Sequence, residues 1–175
     1  MDIQAYTQRA RSVIQSAQTE AVTRDHQQLV PAHILHSLMQ DSGGLPQNLI
    51  QMSGAAPNAV EAAVKDVLNK RPKVEGGSGL TLSKTATKIF AVAEKTAKDA
   101  GDAFITLERL LLSTITQADK DLRAALSKTG LDAGRLGEAI ASVRTEGPVT
   151  SDSAEDQYEA LSKYARDLTL SLIHI

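Results

Sequence analysis

Residues 84–114, KTATKIFAVAEKTAKDAGDAFITLERLLLST, repeat the apolar pattern of residues 8–38, QRARSVIQSAQTEAVTRDHQQLVPAHILHSL. An ungapped offset of 76 residues aligns the two stretches. The coinciding apolar pairs in the first helix of each stretch are Ala10/Ala86, Val13/Ile89, Ile14/Phe90, Ala17/Ala93 and Ala21/Ala97. These pairs recur at helical spacing, whereas the polar faces differ freely. The stretch therefore predicts a helical unit that occurs twice.

The same offset continues through the rest of each unit. The further pairs are Leu29/Ile105, Ile34/Leu110, Leu35/Leu111, Ser37/Ser113, Met39/Ile115, Ile50/Leu126, Gly54/Gly130, Val60/Leu136, Ala63/Ala139, Val64/Ile140 and Val67/Val143. In the first unit we predict helices over 6–23, from Pro31 to the DSGG at 41–44, over LPQNLIQM and over PNAVEAAVKDVLNK. The predicted fold is all-α, with two pseudo-symmetric four-helix repeats packed as one compact domain.

Composition shifts divide the chain into units. Glycine-rich EGGSG separates the repeats, and polar TEGPVTSDSAEDQ is typical of a linker. The predicted units are a domain over 1–145 (repeat one 5–71, joint 72–81, repeat two 82–145), a flexible linker 146–154 and a last helix 155–170. In that helix Tyr158, Leu161, Tyr164 and Leu168 form an apolar stripe without a counterpart in either repeat, which predicts packing against something outside this chain.

The composition excludes several function classes. The chain of 175 residues has a formal net charge of -2, 42% apolar residues, 3% aromatic residues and no Cys or Trp. This gives no basic footprint for nucleic acid and no base-stacking platform. It also excludes disulfides and thiolate metal sites. We see no signal peptide and no apolar run of membrane-spanning length, so we expect a cytoplasmic protein with neither nucleic acid nor a membrane as partner.

Three of the four histidines lie within HQQLVPAHILHSL, residues 26–38. His33 and His36 are three apart in a predicted helix, so both rings could face one metal ion or substrate. The offset of 76 places His26, His33 and His36 on Asp102, Arg109 and Leu112, so the second repeat builds the same scaffold without imidazole. We predict no metal site and interpret these histidines as partly buried helix residues.

Four features together resemble the N-terminal domain of the ClpB/Hsp104 class of Clp ATPases, bacterial protein disaggregases. They are the doubled helical unit, GDAFITLERLLL at 101–112, NKRPKVEGGSG at 69–79 and AEDQYEALSKYARDLT at 154–169. The last segment resembles the family's lead-in to its first nucleotide-binding module and favours the ClpB branch over ClpA and ClpC. The resemblance covers residues 1 to about 169 and departs after Thr169, where the chain reads LSLIHI; we interpret 171–175 as a truncation scar.

The resemblance implies a substrate-binding accessory domain that captures exposed apolar segments of unfolded or aggregated proteins for ATP-driven disaggregation. It implies a stress-response parent that binds ATP and Mg, forms a homohexamer and works with an Hsp70-type chaperone system. The sequence contains no Walker motif G-x-x-x-x-G-K-[ST], so we expect no enzyme activity and no cofactor in this part, and a monomeric fragment.

The resemblance assigns substrate recognition to Thr7, Asp102 and Glu108. Each also has a purely structural interpretation: Thr7 as the cap of the first helix, Asp102 in the turn after Gly101, and Glu108 at the N-terminal dipole of a helix. Both interpretations stay open.

Three neighbouring residues complete the predicted substrate-binding set. The resemblance implies an apolar groove along the fifth helix and the start of the sixth, which Phe90 and Val92 would line, and Arg109 follows Glu108 at the start of the sixth. Phe90 also fits core packing, since it lies on the repeated stripe.

Other functions remain as alternatives. An adaptor or phosphoarginine-client docking domain of a ClpC/ClpA-type ATPase would have an acidic residue at the head of the second helix in both repeats, as the resemblance implies. Here the first repeat has Ala32 and only the second has Glu108. Outside the family, a helical interaction scaffold is a further alternative, and an enzyme is the least supported.

Overall fold

A computed structural model of the chain describes residues 1–77, 79–144 and 147–173. The described elements are a 3-10 helix Ile3–Ala5 and α-helices α1 Gln8–Thr23, α2 Pro31–Met39, α3 Leu45–Met52, α4 Pro57–Lys70, α5 Lys84–Asp99, α6 Leu107–Thr116, α7 Lys120–Leu126, α8 Ala133–Val143 and α9 Glu155–Ile173, with two-residue strands β1 Gln28–Leu29 and β2 Thr81–Leu82. Within these ranges no helix combines the length and apolarity needed to cross a membrane.

The predicted all-α fold is confirmed, and local signals explain where its helices begin. Proline occupies the first turn of α2, α3 and α4, where its missing N–H costs nothing because that N–H has no partner in the helix. Thr7 caps α1 by accepting from the Ala10 N–H. Ser83, 76 residues on, caps α5 in the same way by accepting from the Ala86 N–H.

The two repeats face each other across a pseudo-dyad. The Thr7 N–H donates to the Ile105 carbonyl at 3.0 Å, and the Ser83 N–H donates to the Leu29 carbonyl, also at 3.0 Å. The offset of 76 exchanges these two contacts, because it takes Thr7 to Ser83 and Leu29 to Ile105. Each repeat therefore anchors the start of its first helix to the other repeat, through short parallel backbone pairings.

The repeated polar residue inside the core is a serine. Ser37 of α2 donates to the Val13 carbonyl at 2.7 Å, and Ser113 of α6 donates to the Ile89 carbonyl at 2.6 Å. Both hydroxyls are buried and satisfied, so the core tolerates them. The matched bond holds the second helix against the first in each repeat.

The C-terminal segment packs on the domain. Val149 and Ala154 are buried, and α9 lies against α3 and α8. Arg9 of α1 pairs with Asp41 and, at 3.3 Å, with Glu159 of α9. The sequence predicts a flexible linker over 146–154, and these contacts of residues 147–154 argue against a free tether. The domain boundaries themselves stay a prediction.

The apolar stripe of α9 divides in two. Tyr158 is buried against the domain, which corrects the expectation that the whole stripe packs outside this chain, whereas Leu161 and Tyr164 are 43% and 65% exposed. The Leu168 side chain and residues 174–175, which end the predicted truncation scar, lie outside what the structure describes. The helix itself runs past the predicted end at 170, to Ile173.

Candidate functional site

Asp102 joins three elements of the second repeat. It follows Gly101, whose φ of +77° makes the sharp turn after α5. The buried carboxylate accepts from Arg109 Nε of α6 at 2.6 Å, from Arg144 Nη2 after α8 at 2.8 Å and from the Val149 N–H at 2.9 Å. Burial alone would raise the pKa of Asp102, but the bonds from Arg144, Val149 and Arg109 outweigh it and lower that pKa. Asp102 is therefore a charged cross-link.

Glu108 lies in the first turn of α6 and is completely buried. Arg144 Nε lies 3.5 Å from its Oε1, and among the described residues no group forms a hydrogen bond of good geometry with either carboxylate oxygen. Burial raises the pKa of Glu108 to about 7, and the nearby Glu155 carboxylate adds to the rise. Glu108 is therefore poised to exchange a proton near neutral pH.

The third cluster joins Thr7 to α6 through Glu155. The Glu155 carboxylate accepts from the Thr7 hydroxyl and, at 3.0 Å, from the Leu107 N–H at the start of α6. Thr7 and Glu155 are both fully buried. Burial raises the pKa of Glu155, and its hydrogen bonds moderate the rise. Thr7 thus caps α1 and binds Glu155 at once, and we call the pair of donors, the Thr7 hydroxyl and the Leu107 N–H, the carboxylate cradle.

The predicted site residues divide into two groups. Asp102, Arg109, Glu108 and Thr7 are connected, through Arg144 and the carboxylate cradle, along one edge of α6. Phe90 belongs to the core instead: it is 3% exposed and packs edge-on against the Tyr6 ring at 6.3 Å between centroids.

Val92 lies on α5 and is half-buried, so part of its side chain remains available at the surface. The roles of all six residues in substrate binding stay predictions.

The sequence did not indicate four further members of this site, which are Arg144, Val149, Glu155 and Tyr158. The Arg144 guanidinium lies 5.9 Å above the Tyr158 ring. A cleft of about 360 Å³ opens beside them, with Arg109, Arg144 and Pro148 among its lining residues. The first-turn position of Glu155 in α9 did not signal its contact, because its carboxylate binds the start of a different helix, α6.

The first repeat has a different pair at the place of Asp102 and Arg109. His26 Nδ1 lies 2.8 Å from His33 Nε2, and the Val30 N–H donates to His33 Nδ1 at 3.0 Å. Because His33 Nδ1 accepts, we assign its proton to Nε2, which donates to His26. Burial, followed by the electrostatic influence of His26 and Arg71, lowers the pKa of His33 to about 3, and burial also lowers the pKa of His26.

The histidine cluster is not a ring pair on one helix face. His36 contacts Glu20 of α1 at 2.7 Å, whereas His33 turns to His26. Among the described side chains, no three His, Cys, Asp or Glu groups are arranged to hold a metal ion. At the positions where the second repeat has the Asp102–Arg109 ion pair, the first repeat therefore has two neutral histidine rings.

Comparison with known proteins identifies the duplicated unit. The Clp repeat (R) N-terminal domain family matches residues 5–129. The chain belongs to this family. It is 44% identical over 170 residues to the chaperone protein ClpB of Mesorhizobium japonicum and 43% identical over 171 residues to that of Rhodopseudomonas palustris. Each match covers 97% of this chain and 20% of the relative, so the chain spans about one fifth of the length of these ClpB proteins.

Solved structures share the Clp repeat fold at lower identity. The Hsp104 N-terminal domain from Candida albicans matches with a TM-score of 0.76 at 19% identity, over 85% of this chain and 97% of that one. The N-terminal domain of the ClpV1 ATPase from E. coli matches with a TM-score of 0.64 at 18% identity, over 85% and 93%. These likenesses establish the fold. Together with the ClpB relatives, they confirm the predicted resemblance to the ClpB/Hsp104 class.

Proposed function

We propose that this Clp repeat domain is the client-binding part of a ClpB-type chaperone. It captures exposed apolar segments of unfolded or aggregated proteins and delivers them to an ATP-driven motor located elsewhere in the parent protein. The observation that carries the proposal is the 44% identity to ClpB along 97% of the chain. The gathering of Thr7, Asp102 and Glu108 along one edge of α6 supports the position of the site.

The parent's properties form part of the same proposal. We expect a cytoplasmic homohexamer that uses ATP and Mg and cooperates with an Hsp70-type chaperone. This chain supplies no phosphate-binding loop, because its sequence contains no Walker motif. The nucleotide and its metal therefore belong to another part of the parent.

Apolar contact suits a partner of variable sequence. Burial of apolar surface contributes about 25 cal/mol per Å² without demanding a particular side chain. Val92 and Leu112 are half-buried residues of α5 and α6, so they can still lose exposed area to a client. We expect weak binding, which lets the client leave for the motor.

An adaptor or phosphoarginine docking role fits the two repeats less well. Glu108 has its counterpart in Ala32, which is buried in the first turn of α2 and has no charge. A pair of equivalent pockets for a cationic residue, or for the guanidinium group of phosphoarginine, would need a carboxylate at both places. The second repeat therefore carries the proposed site.

A matched pair of variants tests the proposal. Val92→Asp places a carboxylate on α5, and Ser16→Asp places one at the corresponding position of α1. Isothermal titration with reduced carboxymethylated α-lactalbumin, a permanently unfolded protein, should show weaker binding for Val92→Asp and unchanged binding for Ser16→Asp. Equal affinities in the two variants, or no binding by the unaltered chain, would refute the proposed site.

A further inference from the structure

Residues 149–155 lie across the predicted binding residues, with a turn at 152–154 that leads into Glu155, the first residue of α9. The Val149 N–H donates to Asp102 at 2.9 Å, and the Val149 carbonyl accepts from the Ala103 N–H at 2.7 Å. The Val149 side chain is only 3% exposed. One apolar residue is thus held by its side chain and by both of its backbone groups.

The segment then crosses to the start of α1. The Gln8 N–H donates to the Asp152 carbonyl at 2.9 Å, and the Gln8 side-chain amide donates to the Asp152 carboxylate at 3.2 Å. Ala154 is buried, and Glu155 enters the carboxylate cradle. The anchors along the segment are therefore an apolar residue, an acid, a small residue and a second acid.

This arrangement is made on one side of the pseudo-dyad. The residue of the first repeat that corresponds to Leu107 is Pro31, which has no N–H for a carboxylate. The chain that follows the first repeat also runs past its turn, where the Val74 N–H donates to the Asp25 carbonyl at 2.8 Å, but the Val74 side chain is 42% exposed. The exposed Val74 shows that the segment following a repeat can pack against the turn of that repeat without a buried apolar anchor. Residues 149–155 have such anchors.

We propose that residues 149–155 are an internal ligand of a peptide-binding groove formed by Asp102, Ala103, Gln8 and the carboxylate cradle, and that a client reaches Thr7 and Asp102 by displacing this segment. The claim rests on the proposed client-binding function and adds its regulation. The groove accepts a peptide that makes the same turn as residues 152–154 and has an apolar residue followed, six positions later, by a carboxylate. Occupation by the chain's own segment reduces the apparent affinity for any other peptide by the fraction of molecules that are open.

The first test measures the affinity of the groove for a peptide with the sequence of the segment. A fluorescein-labelled peptide of residues 147–157, GPVTSDSAEDQ, is titrated into the full chain by fluorescence anisotropy. Glu155→Ala should bind it about tenfold more tightly than the unaltered chain, which is the gain expected if about one molecule in ten is open beforehand. Asp156→Ala is the matched control, because the Asp156 side chain is 66% exposed, and it should leave the affinity unchanged. Equal affinities for all three chains would overturn the proposal.

The second test locks the segment without removing an anchor from the carboxylate cradle. The chain has no cysteine, so Gln8→Cys combined with Asp152→Cys provides the only thiols, at positions already joined by a backbone hydrogen bond. The oxidised protein should lose binding of both the labelled peptide and carboxymethylated α-lactalbumin, and reduction should restore both. Undiminished binding of the labelled peptide or the unfolded protein by the oxidised form would overturn the proposal.

The two proposals fail in different ways. If the labelled peptide behaves as expected in every variant but no form of the chain binds the unfolded protein, the groove stands and the client-binding function is refuted. If the unfolded protein binds equally to the locked and the reduced forms, the client-binding function stands and displacement of the segment is refuted.

Discussion

The backbone N–H of Leu107 donates to the Glu155 carboxylate at 3.0 Å, and through this bond the first turn of α9 meets the first turn of α6. The Thr7 hydroxyl donates to the same oxygen. A helix start leaves its first N–H groups without partners inside the helix, so a buried carboxylate there is favourable. Glu155 therefore holds α1, α6 and α9 together at one point.

Removal of the Glu155 carboxylate should destabilise the domain. Glu155→Ala leaves the Leu107 N–H and the Thr7 hydroxyl without their buried acceptor, and we expect the free energy of unfolding to fall by about 1–3 kcal/mol in urea denaturation. Glu155→Gln should cost less, because the amide oxygen can still accept. Asp156→Ala, at the exposed neighbour, should change the value by less than about 0.5 kcal/mol. A similar small loss for both alanine variants would contradict the role of Glu155.

Glu108 should make the domain less stable as pH rises toward neutrality. Its pKa is about 7 when folded and 4.5 as the ordinary value, so between these values the folded state binds the extra proton. The stabilisation that comes from protonated Glu108 is therefore fully present below pH 4.5 and is lost as the pH rises through 7. Glu108→Gln cannot titrate, so its stability relative to the unaltered chain should increase across this window, by up to about 1.4 kcal/mol per pH unit.

Urea unfolding over this pH range checks the sign for Glu108. Glu138→Gln is the matched control, because Glu138 is an exposed residue of α8. The free energy of unfolding of Glu138→Gln should change with pH in parallel with that of the unaltered chain. Parallel curves for Glu108→Gln as well would show that Glu108 does not carry a raised pKa.

The histidine pair should act in the opposite direction. The pKa of His33 falls from 6.5 to about 3 on folding, so the unfolded state binds the proton first as the pH drops. The contribution of the neutral His33 ring to the free energy of unfolding is present above pH 6.5 and is lost progressively toward pH 3. In an NMR titration, the His33 ring should keep the shifts of its neutral form well below pH 6.5 while stability declines.

Transfer of the second repeat's pair provides the comparison for the histidines. His26→Asp combined with His33→Arg copies Asp102 and Arg109 into the first repeat. Because this pair keeps its charges over most of the window, the decline in stability below pH 6.5 should become shallower. Titration of the His33 ring near its ordinary pKa of 6.5 in the unaltered chain would contradict the assignment of a neutral pair.

The repeat and most helix positions could be predicted from the sequence alone. Prolines and glycines fixed the starts and stops of α2, α3 and α4, and the offset of 76 placed the core faces of both repeats. Burial of an apolar stripe is a local pattern, so one sequence can reveal it. The sequence did not indicate the two short strands, since pairing between Gln28–Leu29 and Thr81–Leu82 depends on how the repeats meet.

The state of the predicted site depends on contacts that are distant in sequence. Thr7 and Glu155 are 148 positions apart, and no local pattern reports that they touch. His26 and His33, by contrast, are only seven positions apart, and they meet because the chain turns at Asp25 with a φ of +57°. In that case the offset did contain a signal, because it places the two histidines on Asp102 and Arg109, an acid and a base.

The most direct test of client binding is an NMR titration of the isotopically labelled chain with reduced carboxymethylated α-lactalbumin. The account predicts chemical-shift changes concentrated around Asp102 and Glu108, and at Val149 as the internal segment leaves. The corresponding turn of the first repeat, around His26 and Ala32, should remain unchanged. Changes confined to that first-repeat turn, or no changes at all, would contradict the account.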